Sequence, residues 1–294
     1  MRVCSFLPSA TEIIADLGLI DSLVGVSAEC RWPREVIGKP IVTVARIDPS
    51  RMSSLEIDEA VRASVRDGRS LYVVDAELLE SLAPDLIVTQ DLCTVCAISS
   101  GQLESAYPVE AELVSLDPRT LGDVAESVRV LAHRLGVPDR GDLEAARMLD
   151  EVEEAAAPAR GSDPRRVFFA EWIEPPFCAG HWLPEMIELA GGTDVMGRPG
   201  QPSRSTTWKE VASLEPELVV FGPCGFGAEE AAARAAGMDL RCPAVAVDGD
   251  SYYSRPAPRL AAGIQQLAHL FHPDLAPDPG LPEIRLQAPS AASI

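Results

Sequence analysis

Aromatic side chains are scarce, at 5% of 294 residues, so the core must be built mostly from Leu, Val, Ile and Ala. Basic residues are also few: 25 Lys and Arg stand against 45 Asp and Glu, for a net charge of −20. That balance argues against a nucleic-acid binder, which needs clustered Lys and Arg along the phosphates. It offers no attraction to anionic membranes either. No apolar run approaches the roughly 18 residues of a membrane span, so insertion into a bilayer is not expected. The stretch Met1 to Pro8 lacks a charged n-region followed by an apolar segment and looks like a first strand. This predicts a cytoplasmic protein. There is no GxGxxG after that strand, no P-loop run and no GxSxG elbow, so nucleotide-dependent and serine-hydrolase chemistry lose support.

What remains is an alternation of short apolar runs with helical periodicity, the pattern of α/β folds with mostly parallel sheets. Strands are predicted at Arg2–Leu7, Leu23–Ser27, 39–44, Asp85–Thr89 and Glu112–Leu116, with helices between them and an apolar run at Leu71–Val74. A Gly- and Pro-free helix follows at 142–157. A second α/β series then starts at Arg166, with apolar runs at Leu218–Phe221 and Ala244–Val247. The resulting division is an N-terminal lobe (1–119), a linking helical segment (120–157), a C-terminal lobe (158–272) and a Pro/Ala/Ser-rich tail (273–294) expected to be disordered.

The two series resemble each other, as an internal duplication requires. Glu12-Ile13-Ile14-Ala15-Asp16-Leu17-Gly18 parallels Glu185-Met186-Ile187-Glu188-Leu189-Ala190-Gly191, and Ser81-Leu82-Ala83-Pro84-Asp85 parallels Ser213-Leu214-Glu215-Pro216-Glu217. The fold class predicted is two Rossmann-like lobes joined by a long helix, with a ligand cleft between them.

Loops at the carboxyl ends of parallel strands are where such sheets bind ligands. Two carry thiols: Cys93 and Cys96, in CxxC spacing after the Asp85–Thr89 strand, and Cys224 after the matching strand. With Cys30, these four could close a zinc site or hold an iron–sulfur cluster; small buried apolar thiols are the alternative. His181 could ligate a metal or act as acid or base, with Glu171 orienting it or neutralising a cationic ligand; these two are the catalytic candidates if the protein is an enzyme. Arg46 and Arg255 present forks suited to carboxylates or phosphates. Trp172 and Trp182 offer flat apolar walls, joined by Phe226 and Tyr253, while Ser9, Glu12 and Glu29 supply polar contacts. Ser9 is also placed to cap the first helix, with Glu12 as its capping-box partner.

Leu7-Pro8-Ser9-Ala10-Thr11-Glu12, Leu17-Gly18, Val24-Gly25-Val26 and Leu82-Ala83-Pro84-Asp85-Leu86-Ile87 resemble the class III substrate-binding proteins of the iron-siderophore and cobalamin receptor type. Glu29-Cys30, Asp91, Cys93, Val95-Cys96-Ala97, Gly180-His181-Trp182, Pro223-Cys224-Gly225-Phe226 and Ser254-Arg255-Pro256 are similar to the branch labelled cobalamin-binding protein. The resemblance implies two lobes, a rigid linking helix, and a corrinoid or other small metal chelate held between the lobes. It also implies an ABC permease as partner should an export signal belong to the protein. The expectation is therefore an intracellular chelate-binding protein. The alternative is a metalloenzyme with a Cys-ligated iron–sulfur cluster or zinc.

Overall fold

The computed structural model describes residues 1–67, 70–91, 101, 103 and 110–286. Among these, the chain divides into two compact units. The first comprises Met1–Met52, Glu56–Pro118 and Asp123–Arg147; the second comprises Ser53–Leu55, Arg119–Gly122 and Met148–Ile294.

In the first unit the elements run β1 (Val3–Ser5), α1 (Pro8–Asp16), β2 (Leu23–Ser27), β3 (Ile41–Ala45), α2 (Ser54–Arg66), β4 (Tyr72–Val74), α3 (Ala76–Leu82), β5 (Leu86–Thr89), β6 (Glu112–Ser115) and α4 (Leu121–Arg134). The strands form one six-stranded sheet in the order β4-β3-β2-β1-β5-β6. All neighbours are parallel except β3 and β4. The central strands are buried on both faces, which is why β5 reads Leu-Ile-Val-Thr without alternation. Gly25 is required in β2, because a Cβ there would lie 2.8 Å from Val42 Cγ1 and 2.9 Å from both Cys4 Sγ and Leu82 Cδ1.

α1 begins one residue earlier than the predicted cap. Pro8 occupies its first turn, where a missing N–H and a preset φ cost nothing. The N-cap is Leu7, without a side-chain bond, so Ser9 lies inside the helix and is not its cap.

The chain passes from the first unit to the second within α5 (Pro138–Ala156), a 19-residue helix. The second unit continues with β7 (Arg165–Ala170), the two-stranded hairpin β8 (Trp172–Ile173) and β9 (Pro176–Phe177), α6 (Leu183–Leu189), β10 (Gly192–Asp194), α7 (Trp208–Ser213), β11 (Leu218–Phe221), α8 (Ala228–Ala235), β12 (Ala244–Val247), α9 (Gly249–Tyr252), α10 (Leu260–Phe271) and β13 (Glu283–Leu286). Its sheet order is β10-β7-β11-β12-β13, parallel except for β13. The core on one face gathers Phe168, Ile173, Met196, Val219, Phe221, Ala231 and Ala246.

β13 differs from the expected disordered tail. Residues 283–286 pair antiparallel with β12, and Gln266 of α10 donates to the carbonyl of Pro282 (3.2 Å). Low-complexity composition concealed a short edge strand.

The duplication extends to backbone detail. Gly18 and Gly191, which follow α1 and α6, both take left-handed conformations (φ +71° and +79°). So do the non-glycine residues Ala83 (φ +41°) and Glu215 (φ +50°), each just before a proline. The flanking clamps also match. Arg2 N donates to Asp85 (2.6 Å) and its guanidinium to Leu82 O (2.8 Å); Arg166 N donates to Glu217 (2.8 Å) and its guanidinium to Leu214 O (2.5 Å).

Candidate functional site

The carboxyl ends of β7 and β11 open onto a rim that backbone bonds stitch together. Leaving β7, Glu171 donates its N–H to Phe177 O (3.0 Å) and accepts at its own carbonyl from Cys224 N (3.1 Å). Its side chain accepts from Gly180 N at 2.8 Å. Gly180 has no room for a Cβ, which would lie 2.2 Å from Ser203 N, so the 177–182 segment packs directly on the 201–205 backbone. The next residue, His181, is left-handed (φ +53°). Its N–H donates to Gln201 O (2.6 Å) and its carbonyl accepts from Gly200 N (2.9 Å). Burial, and then the nearby Arg119 cation, lower the His181 pKa, so its ring stays neutral near pH 7.

The 195–204 loop that pins His181 is itself anchored by Asp194 at the end of β10. This buried carboxylate accepts from Phe169 N (3.1 Å), Met196 N (2.8 Å) and Gly197 N (2.5 Å). Its pKa is raised, because desolvation outweighs the three amide donors.

Beside Glu171 the rim carries two half-buried rings, Trp172 and Phe226, whose centroids are 5.7 Å apart at 43°. The Arg234 guanidinium lies 4.1 Å from the Phe226 centroid and pairs with Glu230 at 2.8 Å. Trp172 Nε1 donates to Ser54 O (3.1 Å), and Arg234 reaches Ser54 Oγ (3.4 Å); residues 53–55 belong to this unit. The arrangement provides an apolar ring pair with a guanidinium against Phe226, chemistry suited to a flat ligand. Arg234 and Ser54 escaped sequence reasoning. The only signal for Arg234 was its spacing of four from Glu230, which looks like an ordinary surface pair.

Other predicted contacts fall elsewhere. Tyr253 is 1% exposed and its hydroxyl donates to Gln266 Oε1 (2.8 Å); it is a core residue and not a rim ring. Trp182 is 8% exposed, with Nε1 donating to Tyr253 O (2.9 Å), so it too fills the interior. Arg255, 7% exposed, is engaged by both oxygens of Asp250 (2.6 and 3.2 Å). That fork fastens α9 and is already occupied. Arg46 is exposed and donates to Ser70 O (3.0 Å).

In the first unit, Ser9 and Glu12 are buried in α1, and Glu29 follows β2 with Arg31 at 3.3 Å. Cys30 is 7% exposed. Its Sγ lies 3.1 Å from Thr11 Oγ1, which is also 2.9 Å from Ser5 Oγ. The thiol thus completes a buried polar chain between β1, α1 and the loop after β2. Cys224 is exposed on the other unit's rim. Cys93 and Cys96 lie outside the described residues. Among the described residues no three His, Cys, Asp or Glu side chains converge as a metal site.

Comparison with known proteins gives a consistent picture. The vitamin B12-binding protein of Pectobacterium atrosepticum is 25% identical over 291 residues, covering 94% of this chain and 90% of that protein. The crystal structure of the periplasmic vitamin B12 binding protein BtuF of Vibrio cholerae superposes with a TM-score of 0.63 at 20% identity, covering 91% of this chain and 94% of that one. A periplasmic haem binding protein from Pseudomonas aeruginosa gives a TM-score of 0.67 at 19% identity, covering 98% and 95%. These likenesses confirm the two-lobed α/β fold. They overturn the expectation of a cytoplasmic protein, since both of these solved relatives are periplasmic. A family model described as periplasmic binding protein matches residues 3–240, and the chain belongs to that family.

Proposed function

We propose that the protein is an extracytoplasmic receptor for a flat, metal-bearing macrocycle of the corrinoid or haem class, delivering it to an ABC permease. The observation that carries this reading is the half-buried Trp172–Phe226 ring pair on the carboxyl rim of the second sheet, with the Arg234 guanidinium against Phe226. A macrocycle offers a broad π face to such rings. Family membership supports the reading, because relatives bind vitamin B12 and haem. No step of catalysis is needed. The net charge of −20 suits a receptor that must leave an anionic membrane surface freely.

Fluorescence titration with iron protoporphyrin IX and with cyanocobalamin tests this directly. Binding of at least one macrocycle is expected. Trp172→Ala should weaken that binding roughly three- to tenfold, the loss of one aromatic face. Trp172→Phe keeps the face while losing the bond to Ser54, and should recover most of the affinity. Failure of the wild type to bind either macrocycle would refute the function.

A further inference from the structure

We propose that Arg234 is a positioning residue of the macrocycle site, one that orders the Phe226 ring before the ligand arrives. The ring has little local support of its own. Phe226 lies between Gly225, which is left-handed (φ +82°), and Gly227, the N-cap of α8. Neither neighbour has a side chain to pack on the ring, and glycine on both sides leaves the loop broad conformational freedom. Two backbone bonds hold the main chain: Phe226 N donates to Pro223 O (3.2 Å), and the Phe226 carbonyl accepts from Asp250 N (3.2 Å). The ring itself is met by Trp172, with centroids 5.7 Å apart, and by the Arg234 guanidinium, 4.1 Å from its centroid.

The placement of Arg234 suits holding a ring better than meeting a ligand. Its side chain is 8% exposed, although the same helix carries the exposed Glu229 and Glu230. Arginine is buried to this extent chiefly when it is paired, and here two groups hold it: Glu230, one turn earlier, at 2.8 Å, and Ser54 Oγ at 3.4 Å. Ser54 also accepts the Trp172 indole N–H at its carbonyl (3.1 Å). Both rings of the pair are thus tied to one residue, Trp172 directly and Phe226 through the guanidinium. A cation on an aromatic face is attracted by the ring quadrupole. A ring ordered in advance spares the complex the entropy of ordering it, which raises affinity without a new ligand contact.

The inference rests on the macrocycle reading, and the experiment separates the two. Wild type, Arg234→Met, Phe226→Ala and the double variant are titrated with iron protoporphyrin IX and with cyanocobalamin, and urea midpoints verify that each is folded. Arg234→Met keeps an apolar stem and removes the cation. It should weaken binding roughly three- to tenfold when Phe226 is present. Once Phe226 is alanine its effect should fall below about twofold, because a residue that acts through the ring has nothing left to act on. Glu230→Gln loosens the guanidinium from an exposed position and decides the matter should Arg234→Met fold poorly. It should weaken binding about two- to threefold, again only while Phe226 is present. Equal losses in both backgrounds would overturn the positioning role, since Arg234 would then act on the ligand independently of the ring. Wild-type affinity in the folded Arg234→Met or Glu230→Gln variant would overturn it too. Either result leaves the receptor function standing. If wild type binds neither macrocycle, the receptor reading fails and the positioning role with it.

Discussion

Replacing Asp194 tests whether the rim loop is held as described. Its carboxylate is buried at the end of β10 and accepts three backbone N–H groups, from Phe169, Met196 and Gly197. Asp194→Ala removes all three acceptors at once. Each orphaned buried donor costs about 1–3 kcal/mol. Water entering the vacated space, and relief of the carboxylate's own desolvation, offset part of that, leaving a net loss of about 2–4 kcal/mol. For a unit of this size the fall in Tm should be roughly 4–16 °C. The pH dependence carries an independent sign. Burial raises the Asp194 pKa above the ordinary 3.8, so the folded chain keeps this proton to higher pH than the unfolded chain. The residue's contribution to stability is then largest at low pH and declines as pH rises from 3.8 through the raised value. Asp194→Asn lacks this titration, so the stability difference between wild type and Asp194→Asn should narrow as pH rises over that interval. Urea denaturation at a series of pH values measures both effects. A loss below about 1 kcal/mol for Asp194→Ala, or a difference that widens with pH, would refute the account of how this loop is anchored.

Two further outcomes follow from packing and thiol chemistry. Gly25→Ala forces a Cβ to within 2.8–2.9 Å of Val42, Cys4 and Leu82 and should lower the stability of the first unit by about 1–3 kcal/mol, read from its urea midpoint; an unchanged midpoint would mean β2 has slack that the structure does not show. Burial pushes the Cys4 thiol up to about 12, which leaves about one molecule in 10⁴ as thiolate at pH 8. Iodoacetamide on native protein should therefore modify the exposed Cys224 and spare Cys4, Cys30 and Cys178, as peptide mass spectrometry would show; rapid labelling of Cys30 would contradict its place in the Thr11–Ser5 network.

The sheet strands were legible because parallel strands buried on both faces are written as short apolar runs: Leu218–Phe221 and Ala244–Val247 appear where predicted. The β8–β9 hairpin was not, because Glu174-Pro175-Pro176 looks like a breaker between elements. Side-chain destinations were the least legible. In Ser251-Tyr252-Tyr253-Ser254-Arg255 every side chain can hydrogen-bond, so the run resembles an exposed binding loop. The short helix α9 instead turns Tyr253 into the core and locks Arg255 onto Asp250. The contact between Cys30 and Thr11 was equally hidden, because spacing within a motif says nothing about a partner supplied by another element. His181 was visible as a residue, but its left-handed backbone belongs to tertiary structure alone.

The duplication separates what builds the fold from what distinguishes this protein. The matched parts are the Arg–Asp and Arg–Glu clamps, the left-handed residues before Pro84 and Pro216, and the glycines ending α1 and α6. They recur because each unit has the same task, returning the chain from a helix into a parallel strand. The rims do not match. After β1 comes Phe6-Leu7 and a helix opened by Pro8, with a buried hydroxyl–thiol network behind it. After β7 the chain inserts a hairpin, and the loop beyond it is tied to Gln201 and Ser203 and carries a histidine in strained geometry. Natural proteins depart from local preferences chiefly where function demands it. The additional hairpin, the strain and the ring pair all lie on the second unit's rim. That is the side on which ligand specificity should respond most to substitution, and where the Trp172 variants probe it.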